Sequence, residues 1–178
     1  MSPSVEAYGV VALLDVNGDV LEQLLTVAIR GADADEVTPP LGSVTGWNPE
    51  RVSWLRDYHH AATAGLDGPA RQRSWAISCD GELAGSIRLK RLGPGTLETG
   101  IWLARDFRGR GVGREALRLV KAHAAESGAT VLEADTTAGN HGALALLRSA
   151  GAELETGAGA ATAGVPGAVP VKARIALH

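Results

Sequence analysis

Thr96-Leu97-Glu98-Thr99-Gly100-Ile101-Trp102-Leu103-Ala104-Arg105-Asp106-Phe107-Arg108-Gly109-Arg110-Gly111-Val112-Gly113-Arg114-Glu115-Ala116-Leu117 reads as a strand, a phosphate loop and a helix in succession. Leu97, Ile101, Trp102 and Leu103 make a β-prone apolar run, and from Glu115 to Ala125 the apolar positions recur three and four apart among good helix formers. Between the two lie three glycines at alternate positions, Gly109, Gly111 and Gly113, which let the backbone approach an anion and aim free N–H groups at it. Arg105, Arg108, Arg110 and Arg114 add positive charge where a helix dipole already favours an anion. The expected ligand is a pyrophosphate.

Spacing narrows the choice of ligand. A mononucleotide P-loop needs Gly-Lys followed by Ser or Thr, and the chain has no such triplet. Gly111 to Ala116 does fit the G-x-G-x-x-A form of a dinucleotide fingerprint, with Glu133 and Asp135 near the place of a ribose-binding acid. That fingerprint belongs to the first βαβ unit of a parallel sheet. Here a hairpin precedes it: Arg73 to Cys79 and Glu82 to Leu92 are strand-like runs joined by Asp80-Gly81, a strong turn signal, and Gly93-Pro94-Gly95 turns into the Leu97 to Leu103 strand. Three consecutive antiparallel strands before the loop conflict with a doubly wound fold.

The form that fits better is Arg-x-x-Gly-x-Gly, carried by Arg108, Gly111 and Gly113. It is similar to the acetyl-CoA signature of the GNAT N-acetyltransferase superfamily, and Gly100-Ile101-Trp102-Leu103 resembles the fourth strand of the branch that holds ribosomal-protein N-terminal acetyltransferases and antibiotic acetyltransferases. The resemblance covers Leu97 to Ala152. It implies an α/β (α+β) GNAT fold: a mixed central sheet of six to seven strands, antiparallel at its N-terminal side, with a splayed parallel pair and about four flanking helices.

Composition agrees with one domain over residues 1–178. The chain is 45% hydrophobic and 21% charged, ordinary for a globular protein. A net charge of -3 gives no electrostatic case for nucleic acid, so the local arginines point to a small phosphorylated ligand. The single cysteine, Cys79, excludes an internal disulfide and a cysteine-built zinc site, and it is expected as a small buried residue. Met1 to Glu6 lacks the basic and apolar regions of a secretion signal, and the uncharged run from Thr156 to Val171 is too short and too broken by Gly and Pro to span a bilayer. A soluble cytoplasmic protein is expected.

Before the hairpin, Tyr8 to Leu14 reads as a strand, and Asp19 with Glu22 reads as a capping box opening a helix from Val20 to about Arg30. A loop rich in Pro, Gly and acids runs from Gly31 to Trp47; Asn48 and Pro49 then open a helix to about Ala64. His59 and His60 on that helix point about 100° apart and cannot chelate one metal. Beyond the phosphate loop come a helix from Val112 to Glu126, a strand from Thr130 to Asp135, a helix capped by Asn140 and stopped by Gly151, and strands at Glu153 to Glu155 and Val169 to Leu177 around an Ala/Gly-rich loop.

The resemblance assigns roles. Pantetheine would bond to the backbone of Ile101, Trp102 and Leu103, an N–H near Trp102 or Leu103 would polarise the thioester carbonyl, and the pyrophosphate would lie on Arg108, Gly109, Arg110, Gly111, Val112, Gly113 and Arg114. Asn140 joins the cofactor set through the family's Asn-x-x-Ser-x-x-x-x-Arg-x-x-Gly region, matched by Asn140, Arg148 and Gly151. Ala143 and Leu147 stand where the family often has a serine and a proton-donating tyrosine, so water or His141 would protonate the leaving thiolate.

Glu98 matches a glutamate that acts as base through water, and strand alternation puts Glu98, Gly100 and Trp102 on one face. Asp135 is the competing acid, a base or an ammonium anchor, with Glu36 and Trp102 as further substrate contacts. The expected reaction is acetyl transfer from acetyl-CoA, without metal, to a primary amine of a small molecule. From Asp33, Asp35, Glu36, Glu98 and Asp135 and the aromatic-rich helix, the acceptor is read as an aminoglycoside-type antibiotic, kasugamycin-like among them. A protein N-terminus is the other acceptor, and a non-catalytic CoA-binding module the other function. A homodimer is left open; neither nucleic acid nor membrane is expected as a partner.

Overall fold

The computed structural model describes residues 9–43, 45–157 and 168–178. Tyr8 and most of the Ala/Gly-rich loop lie outside them. Seven strands form one sheet in the order β1-β2-β3-β4-β5-β7-β6, where β1 is Val11–Asp15, β2 Gln72–Cys79, β3 Glu82–Gly93, β4 Thr96–Leu103, β5 Val131–Thr137, β6 Glu153–Thr156 and β7 Pro170–Ala176. All neighbours pair antiparallel except β4 and β5. The helices are α1 Gly18–Gly31, α2 Ala34–Val37, α3 Pro49–Ala62, α4 Val112–Glu126 and α5 His141–Ser149. The expected mixed sheet with one parallel pair is present, with the short α2 as an element the sequence did not announce.

Strand alternation divides the core into two layers. Trp75 and Ile77 of β2, Ile87 and Leu89 of β3, and Leu97 of β4 face α4, where they meet Val112, Ala116, Leu117, Val120 and Ala124. The opposite face carries Ala76 and Trp102 against Val16, Leu21, Leu24, Leu25 and Ala28 beside or on α1 and Leu55 of α3. The fully buried Val, Leu and Ile side chains among these contribute about 1.5–3 kcal/mol each. The sheet is therefore fixed from both sides, and by alternation Glu98 and Gly100 of β4 share the α1/α3 face with Trp102.

Two local expectations diverge at the first helix. It starts two residues early, at Gly18, with Asn17 at the N-cap and no side-chain cap bond. Asp19 lies in the first turn, and Glu22 is an ion-pair partner of Arg56 on α3. The capping box is replaced by a contact between helices, which a local pattern cannot foresee. The α3 start follows the sequence: Asn48 accepts from Arg51 N–H at 2.9 Å, donates through Nδ2 to Leu41 O at 2.8 Å, and Pro49 fills the first helical position. Among the described residues no helix is long and apolar enough to cross a membrane.

Candidate active site

β4 and β5 pair only at Thr96–Val131, Leu97–Leu132 and Glu98–Glu133, and diverge beyond Glu98. β5 continues to Thr137 paired with β7, while β4 continues to Leu103 paired with β3. A gap opens between two parallel strands, and one β4 edge is left unpaired along it. Ala104 N–H donates to Ala84 O at 2.8 Å, which sets the phase of the antiparallel ladder. By alternation Gly100 and Trp102 direct their main-chain groups to β3, whereas Ile101 and Leu103 direct theirs to the gap. Of the three backbone contacts expected on this strand, Ile101 and Leu103 face the gap, while Trp102 is held in the β3 ladder and packs its ring toward α1 and α3.

The phosphate loop follows at the open end. Arg105–Phe107 form a single 3-10 turn, and Gly111 takes φ 80°, ψ 1° as the residue before α4, a conformation that strains any residue with a Cβ. The first hydrogen bond into α4 runs from Glu115 N–H to Gly111 O at 3.2 Å, and no side chain caps the helix. The N–H groups of Val112, Gly113 and Arg114 are left as free donors at a positive helix end. Gly113 is buried against Ile101, Leu103 and Leu146, and Arg114 is exposed. Arg110 reaches over the Phe107 ring at 5.2 Å and donates to Asp106 O at 3.1 Å. A pyrophosphate fits this donor set. Asn140 caps α5 by accepting from Ala143 N–H at 3.1 Å, and Leu147 is buried in the core, where it offers no proton.

The acids are less free than their spacing suggests. Asp33 pairs with Arg105, Asp35 with Arg51 at 2.7 Å, and Glu36 with Arg108 at 2.5 Å. Arg108 also donates from Nε to Leu103 O at 3.0 Å, so its guanidinium lies over the mouth of the gap. Glu98 Oε1 is 2.7 Å from Arg88 Nη1 on β3, with the carboxylate still one-fifth exposed. Its register partner Glu133 stands on the same face and is bound by Arg174 of β7 at 3.1 Å. The result is a row Arg88, Glu98, Glu133, Arg174 across four strands, in which each carboxylate has its own guanidinium. Asp135 is mostly exposed, with Lys172 Nζ at 3.8 Å.

Sequence reasoning missed Arg88 and Arg174, and it read Tyr58 only as one of the aromatics of the second helix. Tyr58 reaches the same face from α3, stacks on Trp54 with centroids 5.3 Å apart, and buries a hydroxyl that finds no partner among the described residues. Burial pushes its pKa up to about 12, Arg88 draws it down and Glu98 adds to the rise, so the phenol stays protonated at neutral pH. A charge ten residues before Glu98 in a hairpin was the available signal for Arg88, but using it requires the register of β3 on β4.

Two clefts are open. One of about 420 Å³ lies beside the loop and is lined by Asp33, Glu36, Trp47 and Arg105 among others. A larger one of about 590 Å³, lined by Asp15, His59, Arg73, Ser74 and Arg91 among others, also includes Ser127, just past the end of α4.

Comparison with known proteins gives a concordant result. The family model described as "Acetyltransferase (GNAT) family" matches residues 43–152. Solved structures with the same fold include the ribosomal L7/L12 alpha-N-protein acetyltransferase RimL in complex with coenzyme A, 16% identical, covering 97% of each chain at a TM-score of 0.71. They also include an acetyl transferase from Salmonella typhimurium that modifies the N-terminal serine of L7/L12, 14% identical over 98% of this chain and 99% of that one, TM-score 0.73. A third is RimJ from Mycobacterium smegmatis in complex with CoA-disulfide, 19% identical over 94% and 82%, TM-score 0.72. No curated protein matches the chain.

Proposed function

We propose that this chain, which belongs to the acetyltransferase (GNAT) family, transfers the acetyl group of acetyl-CoA to a single primary amine. The observation that carries the reading is the unpaired β4 edge at Ile101 and Leu103 beside the free N–H groups of Val112, Gly113 and Arg114. These residues would hold the pantetheine arm and the pyrophosphate, with Arg108, Gly109, Arg110 and Gly111 completing the loop. Leu103 N–H faces the gap and is the donor best oriented to stabilise the oxyanion.

Bound acetyl-CoA supplies the electrophile, a thioester carbonyl. The amine nitrogen forms the new C–N bond, the C–S bond breaks, and the thiolate leaves with a proton. The attacking amine has to be neutral, so Glu98, still reached by solvent, takes the ammonium proton through a water. Leu147 has no acidic proton, and Tyr58 is buried; solvent protonates the leaving thiolate.

For the acceptor, an amino-sugar antibiotic would offer several ammonium groups and call for several free carboxylates. Asp33, Asp35, Glu36 and Glu98 each have an arginine, which leaves Asp135 as the loosely held acid. One free carboxylate suits one ammonium. A peptide N-terminus is therefore the acceptor we favour, the class named for two of the structural neighbours; the aminoglycoside reading stays as the competing arm.

Free-thiol release from acetyl-CoA, measured with N-terminal peptides, aminoglycosides and simple amines, tests all of this together. Acetylation of peptides above amino sugars is expected, and the reverse ranking would return the acceptor to the antibiotic class. CoA binding without thiol release for any amine would make the chain a non-catalytic CoA module. Glu98→Gln should lower turnover about 10²- to 10⁴-fold with acetyl-CoA affinity kept, and Asp135→Asn should chiefly raise the amine KM. A fully active Glu98→Gln removes Glu98 from the base role.

A further inference from the structure

Arg88 is half-buried on the α1/α3 face of β3 with its Nη1 fully buried, and what it lies against is unusual. Its Nη1 is 2.7 Å from Glu98 Oε1, without the alignment of a full hydrogen bond, so that N–H is not spent elsewhere. Its guanidinium lies flat across Gly100: a Cβ built there would be 3.0 Å from Nε, 3.0 Å from Nη2 and 3.1 Å from Cζ. Gly100 is thus the space that lets a guanidinium from β3 cross the β4 backbone and reach a carboxylate two residues back. Gly100 and Arg88 are also register partners, so Ala at this position leaves the ladder intact and the unpaired β4 edge untouched.

The charges facing Glu98 from every side make the arrangement specific. On β5, Glu133 is its register partner and would repel it, but Arg174 takes Glu133 at 3.1 Å. On β3 its own register partner is Lys90, and from α3 comes the neutral phenol of Tyr58. Arg88 is left as the cation that contacts Glu98.

We infer that Arg88 is a positioning residue for Glu98, holding the carboxylate aimed at the gap between β4 and β5, and that Gly100 exists at its position to admit the guanidinium. The inference rests on the base role given to Glu98 above. A carboxylate on a strand has free χ torsions unless something fixes them, and a misplacement of about 1 Å in a catalytic group can cost about 100-fold in rate.

The test is a cycle of purified variants, Arg88→Met, Arg88→Lys, Gly100→Ala and the double Arg88→Met/Gly100→Ala, each measured for kcat at saturating acetyl-CoA, for CoA Kd and for Tm. Arg88→Met is expected to lower kcat about 10- to 100-fold with CoA Kd within about twofold. Arg88→Lys, which keeps a cation, should recover part of the loss. Gly100→Ala should reproduce the Arg88→Met defect by pushing the guanidinium off Glu98, and the double variant should be no worse than either single one. Wild-type kcat in Arg88→Met, or losses that multiply in the double variant, would overturn the inference. If Arg88→Met does not fold, Gly100→Ala probes the same contact from the other side, and its wild-type kcat would overturn it equally. An inactive Glu98→Gln beside a fully active Arg88→Met sinks this inference alone, whereas a fully active Glu98→Gln sinks the base reading beneath it.

Discussion

Arg108 donates to Glu36 Oε2 at 2.5 Å while its Nε donates to Leu103 O at 3.0 Å, so the residue expected to meet a pyrophosphate is held by an acid 72 positions earlier in the chain. Glu36 and the pyrophosphate would compete for one guanidinium. Both side chains are about two-fifths exposed, which limits the strength of the pair to about 0.2–1 kcal/mol.

Glu36→Gln should accordingly tighten acetyl-CoA binding, by up to about fivefold, since 1.4 kcal/mol corresponds to a factor of ten. The gain should shrink at high salt as the pair itself is screened. Calorimetric titration at two ionic strengths checks it; weaker binding in Glu36→Gln would mean that Glu36 holds Arg108 in its productive place.

Gly111→Asp strains a backbone at φ 80° and sets a carboxylate at the positive end of α4, and Gly113→Asp places the same charge at the second residue of the helix. Each should abolish detectable CoA binding in a folded protein. Retained CoA affinity would refute the phosphate-loop assignment, whereas NAD binding tighter than that of acetyl-CoA in the wild type would keep a phosphate loop and return its ligand to a dinucleotide.

Asn48→Ala removes the cap of α3 and the Nδ2 bond to Leu41 O, which ties the acidic loop to the helix. A loss of about 1–2 kcal/mol is expected in chemical denaturation, with the m-value unchanged. Asn48→Asp keeps the accepting oxygen but not the donor, so it should lose less than Ala. Equal losses would deny the cap its share.

His59 gives a pH signature. It is buried, its Nδ1 lies 2.8 Å from Ser74 Oγ, and its Nε2 has no partner among the described residues. Burial, helped by the neighbouring His60, pushes its pKa from 6.5 down to about 4. The unfolded chain takes the proton near pH 6.5 and the folded one near pH 4. The stability contribution is thus complete above about pH 6.5 and falls away toward pH 4, by roughly 3 kcal/mol in all. His59→Gln should flatten that part of the stability-against-pH curve, measured by urea denaturation from pH 7 to 4; an unchanged slope would assign the acid sensitivity to other groups.

The elements legible in the sequence were those whose cause is local. Asp80-Gly81 makes its hairpin because few residues other than Gly, Asn and Asp tolerate such a turn, and both take positive φ here. The glycines of the phosphate loop and the period of α4 act within one turn of chain, and the antiparallel hairpin before them excluded a doubly wound sheet. From these the fold class followed, together with the strand, glycine loop and helix over Thr96 to Glu126. Where a local pattern met a distant partner, the partner prevailed: Glu22 went to Arg56 and not to a capping box with Asp19.

What the tertiary structure alone decided is which charges meet. Register places Arg88 beside Glu98 and Arg174 beside Glu133, and the fold carries Asp33, Asp35 and Glu36 onto Arg105, Arg51 and Arg108. Spacing offered these acids as candidates but could not tell a free carboxylate from a neutralised one. Charge pairing depends on which side chains lie within a few ångströms in space, and a one-residue slip of a strand would send each of them to the other face of the sheet.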